Sequence, residues 1–438
     1  MQRTVLKMMC AGIIILLVFG TPSMAMTIVK EHQSIHDNDR VMQNADDKIQ
    51  EIFQKINETL IRSYVDYLSN NIGSRCTGTE GCQQAASYIH DQFEAMGLQV
   101  RYQNWSHKIN KSSSDLLNAQ NVEATQPGSD PSDDDAILFN AHYDTVPGTV
   151  GANDDGSGTV AVLAAASVLS QYSFKRTIKF VTFSGEEQGL FGSEAYVHEL
   201  YDQQTPIMVE LNADGVGRAT TAETAHKIGL SATEDTRWMI DVMKNVTKTY
   251  GLNFDISTFW KVNRGLPFGF SDYFYFARYG YESISVWEAD GDPNHHTPQD
   301  NISNINIGYL VNMTRHIAGT MAILADTQTA VPQVSIANPR FGKIIVNGVD
   351  RKNTQYLLSL VVGRINISAD VRPGVNPIER VEFYYGHRLL FTDTEPPYTC
   401  LLNRLSVGIH KLRIVAYDTN GNSASDQVNI LFVNLRTK

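Results

Sequence analysis

Five short polar segments of this chain have the residue types that a metal site needs. In chain order they are His142-Tyr143-Asp144, Asn153-Asp154-Asp155-Gly156, Glu186-Glu187, Asn212-Ala213-Asp214 and His296-Thr297. Imidazole nitrogens and carboxylate oxygens suit zinc, and the absence of cysteine from all five segments argues against a structural zinc site. The adjacent glutamates are the most informative segment, because one carboxylate can bind metal while its neighbour transfers a proton. Together the segments predict a site for two divalent metal ions.

Each segment alone also has an ordinary structural explanation. His142 could be a buried histidine beside an acidic turn residue, Asp144. Asp155 could cap the N-terminus of the helix that follows it. Glu186 and Glu187 could begin a solvated helix, where carboxylates favour the positive end of the helix dipole. None of these explanations accounts for all five segments in one chain, each near the end of an apolar run.

The apolar runs before these segments are typical of buried strands. Strand patterns cover residues 98–105, 136–141, 177–183, 207–211 and 283–287, and helical patterns cover residues 49–70, 81–96, 159–169, 194–200 and 307–327. Strands that alternate with helices indicate an α/β domain with a largely parallel sheet. Ligands of such sheets bind at the carboxyl ends of the strands. The segments that begin at His142 and Glu186, and the one that ends at Asp214, lie there in the sequence.

The pattern changes after residue 330. Residues 380–385 and 411–417 are short β-rich runs, and turns such as Asn347-Gly348 and Asn420-Gly421 separate the runs of this region. Residues 331–438 are therefore predicted to form an all-β, immunoglobulin-like sandwich. The absence of a cysteine pair argues against an antibody-type domain, and no catalytic cluster is visible there.

The N-terminus resembles a secretory signal. Basic residues Arg3 and Lys7 precede an apolar run at residues 11–20, and Ser23-Met24-Ala25 matches a cleavage site of small residues. We predict a signal peptide at residues 1–25, then a linker or short propeptide at residues 26–48. The protein is thus expected to be secreted or held at the cell surface, with an uncleaved N-terminal anchor as the alternative.

Composition limits the function further. The 438 residues are 42% hydrophobic, which is enough for a large core and more than one domain. A net charge of -11 argues against nucleic acid as a partner. Beyond residue 25 the cysteines are Cys76, Cys82 and Cys400. The first two flank a turn and would form either a small disulfide loop or two free thiols.

The chemistry-bearing segments together resemble the M28 family of zinc peptidases, the dinuclear aminopeptidases. The matching residues are His142-x-Asp144, Gly151-Ala152-Asn153-Asp154-Asp155-x-Ser157-Gly158, Gly185-Glu186-Glu187-x-Gly189, Asn212-x-Asp214, Ser271-Asp272, His296-Thr297-x-x-Asp300 and, upstream, Arg75-Cys76-Thr77-Gly78-Thr79. The resemblance covers residues 49–326 and does not extend to the β-rich region. It implies that residues 49–328 form a three-layer α/β/α sandwich around a mixed, largely parallel sheet.

The resemblance also implies the ligands of two zinc ions. Asp154 would bridge both ions. His142 and Asp214 would complete one site, while Glu187 and His296 would complete the other. The implied reaction is peptide hydrolysis by a zinc-activated water.

The resemblance assigns the remaining polar residues to proton transfer and support. Glu186 would be the general base instead of a ligand. Asp144 would orient the metal-binding histidine, and Asp272 and Asp300 would support the site. His295 is less suited to bind metal than its neighbour, because the motif places the ligand directly before threonine.

The expected activity is the removal of N-terminal residues from peptides or proteins by a secreted metallo-aminopeptidase. One alternative is a glutaminyl cyclase, which shares the fold and much of the ligand set but uses one zinc. Another is a zinc carboxypeptidase or deacylase of the M20 type, and a third is a receptor-like relative without metal. The β-rich domain is expected to be a spacer or to contact the cell surface, a carbohydrate or a substrate protein.

Overall fold

The computed structural model describes residues 46–108, 116–232, 236–259, 271–353 and 358–435. The predicted signal peptide and nearly all of the predicted linker lie outside these residues. The main helices are α1 (Asp46–Lys55), α2 (Glu58–Asp66), α3 (Glu80–Ala95), α4 (Gly156–Leu169), α5 (Phe191–Gln203), α6 (Arg237–Thr249), α7 (Tyr273–Tyr279) and α8 (Ile307–Asp326). None of the helices in the described ranges is long and apolar enough to cross a membrane.

Eight strands form one mixed sheet in the first domain. They are β1 (Gln99–Lys108), β2 (Leu116–Gln126), β3 (Ala136–His142), β4 (Thr177–Phe183), β5 (Ile207–Ala213), β6 (Lys227–Ala232), β7 (Asp255–Phe259) and β8 (Ser283–Glu288). Their order is β1-β2-β4-β3-β5-β8-β6-β7. The central strands β4, β3, β5 and β8 are parallel, so their carboxyl ends meet at one edge. The predicted mixed, largely parallel sheet is confirmed.

Helices cover both faces of this sheet, as expected for an α/β/α sandwich. Alternate residues of β3 enter two different cores: Ile137 and Phe139 pack with α4 and α8, while Leu138 packs with α5 and α7. A strand that is buried on both faces needs a continuous apolar sequence, which is why its pattern is easy to recognise. Helix α4 is also apolar on all sides, since α8, α2 and the sheet surround it.

The single helical pattern at residues 49–70 is divided in the structure. Helix α1 ends at Lys55, and Asn57 begins α2 with an extended backbone and a side chain that accepts a hydrogen bond from Leu60 N–H. A π-helical turn, Tyr67–Ile72, follows α2. Ile56 remains fully buried, so the apolar spacing continues through the break. Helix α1 begins at Asp46, inside the segment that was predicted to be a linker.

The β domain contains two sheets. Its strands are β9 (Gln333–Asn338), β10 (Lys343–Val346), β11 (Val349–Asn353), β12 (Ser359–Val362), β13 (Ile365–Arg372), β14 (Ile378–Tyr385), β15 (Arg388–Asp393), β16 (Thr399–Leu402), β17 (Ser406–Asp418) and β18 (Ser423–Asn434). Seven strands form the sheet β11-β10-β12-β18-β17-β14-β15, and three form the sheet β16-β13-β9. The all-β prediction is confirmed, while the immunoglobulin-like topology stays a prediction. Cys76, Cys82 and Cys400 are free thiols.

The two domains touch through aromatic and charged side chains. The guanidinium of Arg340 lies 3.7 Å from the ring centre of Tyr201 on α5, and the Tyr201 hydroxyl donates a hydrogen bond to Phe341 O at 2.8 Å. Arg372 of β13 forms ion pairs with Asp134 and Asp135 of the α/β domain. The contacts of Arg340 and Phe341 hold the segment before β10 of the seven-stranded sheet against the α/β domain, and those of Arg372 hold the end of β13 in the three-stranded sheet.

A buried carboxylate lies within the central sheet. Glu210 of β5 is fully buried and accepts hydrogen bonds from Asn140 Nδ2 and Ser283 Oγ. The chain of hydrogen bonds continues from Asn212 to Asn140 and from Ser285 to Asn212. Burial raises the pKa of Glu210 to about 8, because an ionised carboxylate loses its hydration inside the sheet.

The raised pKa of Glu210 predicts a pH-dependent stability. The folded state holds this proton up to about pH 8, whereas an unfolded chain releases it near pH 4.5. Stability should therefore fall as pH rises between these values, by up to a few kcal/mol. The glutamine side chain of Glu210→Gln cannot ionise, so the free energy of unfolding of this variant should fall less as pH rises. Urea unfolding at several pH values measures the effect, with the exposed Glu58→Gln as control; equal pH slopes in both variants would contradict it.

Candidate active site

The carboxyl ends of the four central parallel strands hold the predicted ligands. His142 is the last residue of β3, and Asp214 follows β5 directly. Glu186 and Glu187 lie in the turn after β4. The segment with His296 follows β8. Neighbouring parallel strands thus place side chains from distant parts of the sequence at one edge of the sheet.

Asp154 lies at the centre of this edge. Its Oδ1 is 3.3 Å from His142 Nε2, and that same nitrogen is 3.7 Å from Asp214 Oδ1. Ligand atoms of these three residues all lie within 4.8 Å of one another. Burial alone raises the pKa of Asp154, but the nearby histidines lower it well below its usual range. One side of Asp154 therefore belongs to a group of one imidazole and two carboxylates.

The other oxygen of Asp154 belongs to a second group. His296 Nε2 is 3.1 Å from Asp154 Oδ2 and 3.0 Å from Glu187 Oε2. His295 Nε2 also approaches Asp154 Oδ2, at 2.9 Å, and the two histidine rings stack at 3.7 Å. Only His296 of this pair has an ion-pair contact to Glu187 among the described residues. The structure therefore places the other four predicted ligands around Asp154 and adds His295 to the group.

Glu186 lies beside both groups. Its Oε2 is 3.9 Å from His142 Nε2, and its side chain is 13% exposed. Burial raises the pKa of Glu186 well above its ordinary range, and Asp214 and Asp272 raise it further, against the effect of His142. A carboxyl with a raised pKa can take up and release a proton near neutral pH, as a general base must.

Three buried atoms at the centre lie close to other ligand atoms but make no well-aligned hydrogen bond with the described residues. They are His142 Nε2, Asp154 Oδ2 and Glu187 Oε1. Buried polar atoms without a partner are costly unless a ligand satisfies them. Imidazole and carboxylate atoms in such a position suit zinc. The residues present therefore fit zinc, with each metal-binding group formed by one histidine, one carboxylate of its own and a share of Asp154.

Hydrogen bonds hold the loop that carries Asp154. Asp300 accepts from Asn153 N–H at 2.7 Å and from Asp154 N–H at 3.0 Å. Asp155 caps α4 through Gly158 N–H and also accepts from His142 N–H, so it has a structural role. The peptide bond between Asp154 and Asp155 is cis. The predicted support by Asp300 thus acts on the backbone of the loop.

Asp144 connects the histidine of the first group to the glutamate turn. Its Oδ1 lies 3.5 Å from His142 Nδ1 and accepts a hydrogen bond from Glu186 N–H at 3.3 Å. Its Oδ2 accepts from Thr77 Oγ1 at 2.9 Å, and the same hydroxyl accepts from Gly185 N–H. Asp272 is fully buried but makes no hydrogen bond with Asp144 or Glu186. Burial raises the pKa of Asp272 to about 7.

Arg75 supports the site in a way that its sequence motif did not reveal. The side chain is fully buried, and its nitrogen atoms donate to the carbonyls of Tyr143, Val150 and Gly151 at 2.7 to 2.8 Å. It therefore joins the backbone between His142 and Asp144 to the loop that leads to Asp154. No described carboxylate pairs with it directly. The nearby carboxylates still favour its charge, although burial lowers its pKa.

Sequence patterns also did not reveal Glu288 as a site residue. This last residue of β8 accepts hydrogen bonds from Asn153 Nδ2 at 2.9 Å and from Arg218 N–H at 2.6 Å. Burial raises its pKa to about 9. The sequence does contain one signal for Glu288, which is an acidic residue directly after the apolar run at residues 283–287. The strand-end rule that applies to His142 and Asp214 applies here as well.

The comparisons with known proteins agree with this geometry. Residues 121–321 match the model of Peptidase family M28. The matched region contains all of the candidate ligands, and over these residues the chain is similar to this family. It is 32% identical to aminopeptidase YwaD of Bacillus subtilis over 179 residues, which are 39% of this chain and 37% of that protein. The chain thus spans between about a third and a half of the curated relatives it matches.

Solved structures share the fold of the α/β domain. The zinc aminopeptidase BSAP from Bacillus subtilis superimposes with a TM-score of 0.54 and 18% identity, over 62% of this chain and 96% of that chain. A glutaminyl cyclase from Bacteroides thetaiotaomicron superimposes with a TM-score of 0.50 and 20% identity, over 61% of this chain and 98% of that chain. At these identities the likeness establishes the fold and does not choose between the two activities.

The contacts of Arg75 predict a specific loss of metal binding. Arg75→Lys keeps the charge but cannot reach several carbonyls at once, and Arg75→Gln loses the charge as well. Residues that support metal ligands typically contribute about 10- to 100-fold to metal affinity. Both variants should therefore bind zinc more weakly than the unchanged chain, and Arg75→Gln should bind it more weakly than Arg75→Lys. Competition with a coloured chelator measures the affinity, with Arg62→Gln, exposed on α2, as control. Unchanged zinc affinity in a folded Arg75→Gln would contradict this role.

Proposed function

We propose that this chain is a secreted metallo-aminopeptidase that removes N-terminal residues from peptides. Two zinc ions would be held by His142 and Asp214 on one side, by Glu187 and His296 on the other, and by Asp154 between them. The observation that carries the proposal is the position of Asp154, whose two oxygens face two separate histidines at 3.3 and 3.1 Å. The match of residues 121–321 to the model of Peptidase family M28 supports the peptidase activity.

The residues of the chain have distinct tasks in this reaction. Bound zinc supplies a Lewis acid that polarises the scissile carbonyl and lowers the pKa of water. The carboxylate of Glu186 accepts a proton from the attacking water and donates it to the leaving amine. Asp144 holds both the His142 ring and the backbone of Glu186, so the base keeps a fixed position relative to the ligands. Burial raises the pKa of Glu186, which favours the protonated form that donates to the leaving amine.

The charge of the site favours an N-terminal substrate end over a C-terminal one. Carboxylates surround the centre, and the described arginines nearby already have partners: Arg75 bonds to carbonyls, and Arg218 lies 3.5 Å from Asp292 and donates to Gly291 O. A C-terminal carboxylate needs a free cation to bind it, and the described arginines at the site do not offer one. This observation supports an aminopeptidase over a carboxypeptidase or a deacylase.

The glutaminyl cyclase alternative predicts a single zinc. The two oxygens of Asp154 face two separate groups of candidate ligands. This arrangement favours two metal ions, and we therefore prefer the aminopeptidase. Secretion rests on the N-terminal pattern of residues 1–25 alone. The preference for a particular N-terminal residue would depend on a pocket built from distant loops, for which the sequence offers aromatic residues at 259–260 and 268–270. Phe259 is 42% exposed, and residues 260 and 268–270 lie outside the described residues.

A mixed peptide pool tests the proposed activity directly. The zinc-loaded protein is incubated with peptides that have free, acetylated or glutamine N-termini, and mass spectrometry follows the products. Stepwise loss of N-terminal residues from the free peptides alone is the expected result. Loss from the carboxyl end would establish a carboxypeptidase instead. Loss of ammonia from glutamine peptides without shortening would establish a cyclase.

Glu186→Gln should separate catalysis from metal binding. The amide keeps the shape of the side chain but cannot accept the proton, so turnover should fall by about 10²- to 10⁴-fold while zinc content stays the same. Elemental analysis gives zinc content, and a chromogenic aminoacyl substrate gives kcat. Glu94→Gln, an exposed carboxylate change on α3, should leave both unchanged. If Glu186→Gln kept most of its turnover, Glu186 would not be the general base.

The adjacent histidines provide a matched pair of variants. His296 contacts both Asp154 and Glu187, whereas His295 contacts only Asp154 among the described ligands. His296→Ala should therefore lose one of the two zinc ions and most activity, while His295→Ala should keep both ions. Isothermal titration calorimetry with zinc gives the number of ions that each variant binds. The opposite pattern would make His295 the ligand.

A further inference from the structure

The outer face of the seven-stranded sheet is apolar across four strands. Register places Ile344 beside Leu360, and Leu360 beside Leu431, which pairs with Ile409. The second row is formed by Val346, Val362, Val433 and Val407. The residues between them, such as Val361 and Phe432, are fully buried, so alternation turns the eight side chains outward. We call these eight residues the aliphatic face.

This face is partly exposed on β10 and β12, is most exposed on β17, and continues over one end of the domain. Val407 and Ile409 are 63% and 65% exposed, and no described residue of the α/β domain packs on them. Leu405 and Leu435, just beyond the strand ends, are 63% and 73% exposed. This end is far along the sheet from Arg340 and Lys343, which contact the α/β domain. We call it the distal end. A continuous exposed apolar surface of this kind marks a binding site.

The distal end also carries cations without carboxylate partners. Arg364 is exposed there and Arg404 is partly exposed, while the exposed Arg388 follows at the turn between β14 and β15, level with Leu412 of β17. None of the three has an ion pair with a described carboxylate. At the opposite end of the domain, in contrast, Arg372 pairs with Asp135, and Arg380 pairs with Glu382. The unpaired positive charge is thus concentrated where the aliphatic surface is most exposed.

The charge of the whole chain is divided in the same way. The chain has 36 Lys and Arg against 47 Asp and Glu, but residues 331–438 contain thirteen of these basic residues and only eight of the acidic ones. The β domain is therefore basic, while the rest of the chain is strongly acidic. A basic domain on an acidic protein favours an anionic partner and holds the acidic domain away from it.

We propose that the distal end and the aliphatic face bind the surface of an anionic phospholipid bilayer. Leu405, Leu435 and Val407 would enter the boundary between headgroups and acyl chains, and Arg364 and Arg388 would contact lipid phosphates. The face itself contains aliphatic residues without aromatic rings, which suits acyl chains better than stacked sugars. A second copy of the chain fits less well, because facing copies would bring their unpaired cations together.

Vesicle sedimentation with the full chain tests this proposal. Vesicles of phosphatidylcholine, with and without phosphatidylglycerol, serve as probes, and the measured quantity is binding to anionic vesicles relative to neutral ones. Because Arg3 and Lys7 precede the apolar run at residues 11–20, that segment also favours anionic vesicles, and the variants below, which leave it intact, separate its contribution. The chain should prefer anionic vesicles, and added salt should weaken the preference. Equal binding to both vesicles, or no binding to either, would overturn the proposal.

Matched variants locate the contact. Arg364→Gln with Arg388→Gln should lower the anionic preference by about 25-fold, since one basic residue contributes about fivefold; Arg62→Gln on α2 should not change it. Leu405→Ser with Leu435→Ser should lower binding to anionic vesicles by at least about tenfold, whereas Val375→Ser, 52% exposed near the α/β domain, should not. Peptidase activity and thermal unfolding confirm that each variant is folded.

Two outcomes would assign the face to something else. If the distal variants bound vesicles like the unchanged chain while removal of residues 1–45 abolished binding, the N-terminal segment would be the membrane contact. If sedimentation velocity without vesicles showed a dimer that Leu405→Ser disrupts, the face would be an interface between copies. Either result would overturn the proposal, which does not depend on the peptidase activity.

Discussion

The close approach of several carboxylates at one edge of the sheet is the constraint on which this structure depends. Asp154, Glu186, Glu187 and Asp214 converge within a few ångströms of His142, and like charges at such distances repel strongly in a buried site. Zinc ions between the carboxylates would remove that repulsion. The described carboxylates do not stabilise one another. Asp300, Asp155 and Arg75 hold them in place through hydrogen bonds with the surrounding loops.

The parallel sheet makes this convergence possible at little cost elsewhere. Strand β3 is buried on both faces, so the position of its last residue, His142, is fixed by packing on each side. Strands β4 and β5 pair directly with β3, and their ends therefore stop at the same edge. Cores of this kind deform little. The loops that leave this edge need only local hydrogen bonds to hold them in place. Arg75 provides such bonds between the His142 segment and the Asp154 loop.

The sequence predicted the parts of the fold that are apolar and continuous. Strand β4 was placed at residues 177–183, and helix α8 at nearly its full length, because both are buried on several sides. Strands β2, β6 and β7 were not predicted, since polar residues alternate through Leu116–Gln126 and Gly229 interrupts Lys227–Ala232. The ligand set came from motif order, whereas the anchoring by Arg75 depends on carbonyls that no local pattern identifies. Glu288 had only the general signal of an acid at a strand end, which does not name its hydrogen-bond partners. The break at Asn57 was hidden by apolar spacing that continues through it.

The central claim is that Asp154 serves two metal ions at once. Anomalous X-ray diffraction at the zinc absorption edge, on crystals of the protein grown with zinc, tests it without reference to activity. The account predicts two peaks on opposite sides of the Asp154 carboxylate, one beside His142 and Asp214 and the other beside Glu187 and His296. A single peak under saturating zinc, or a second peak that does not touch Asp154, would contradict it.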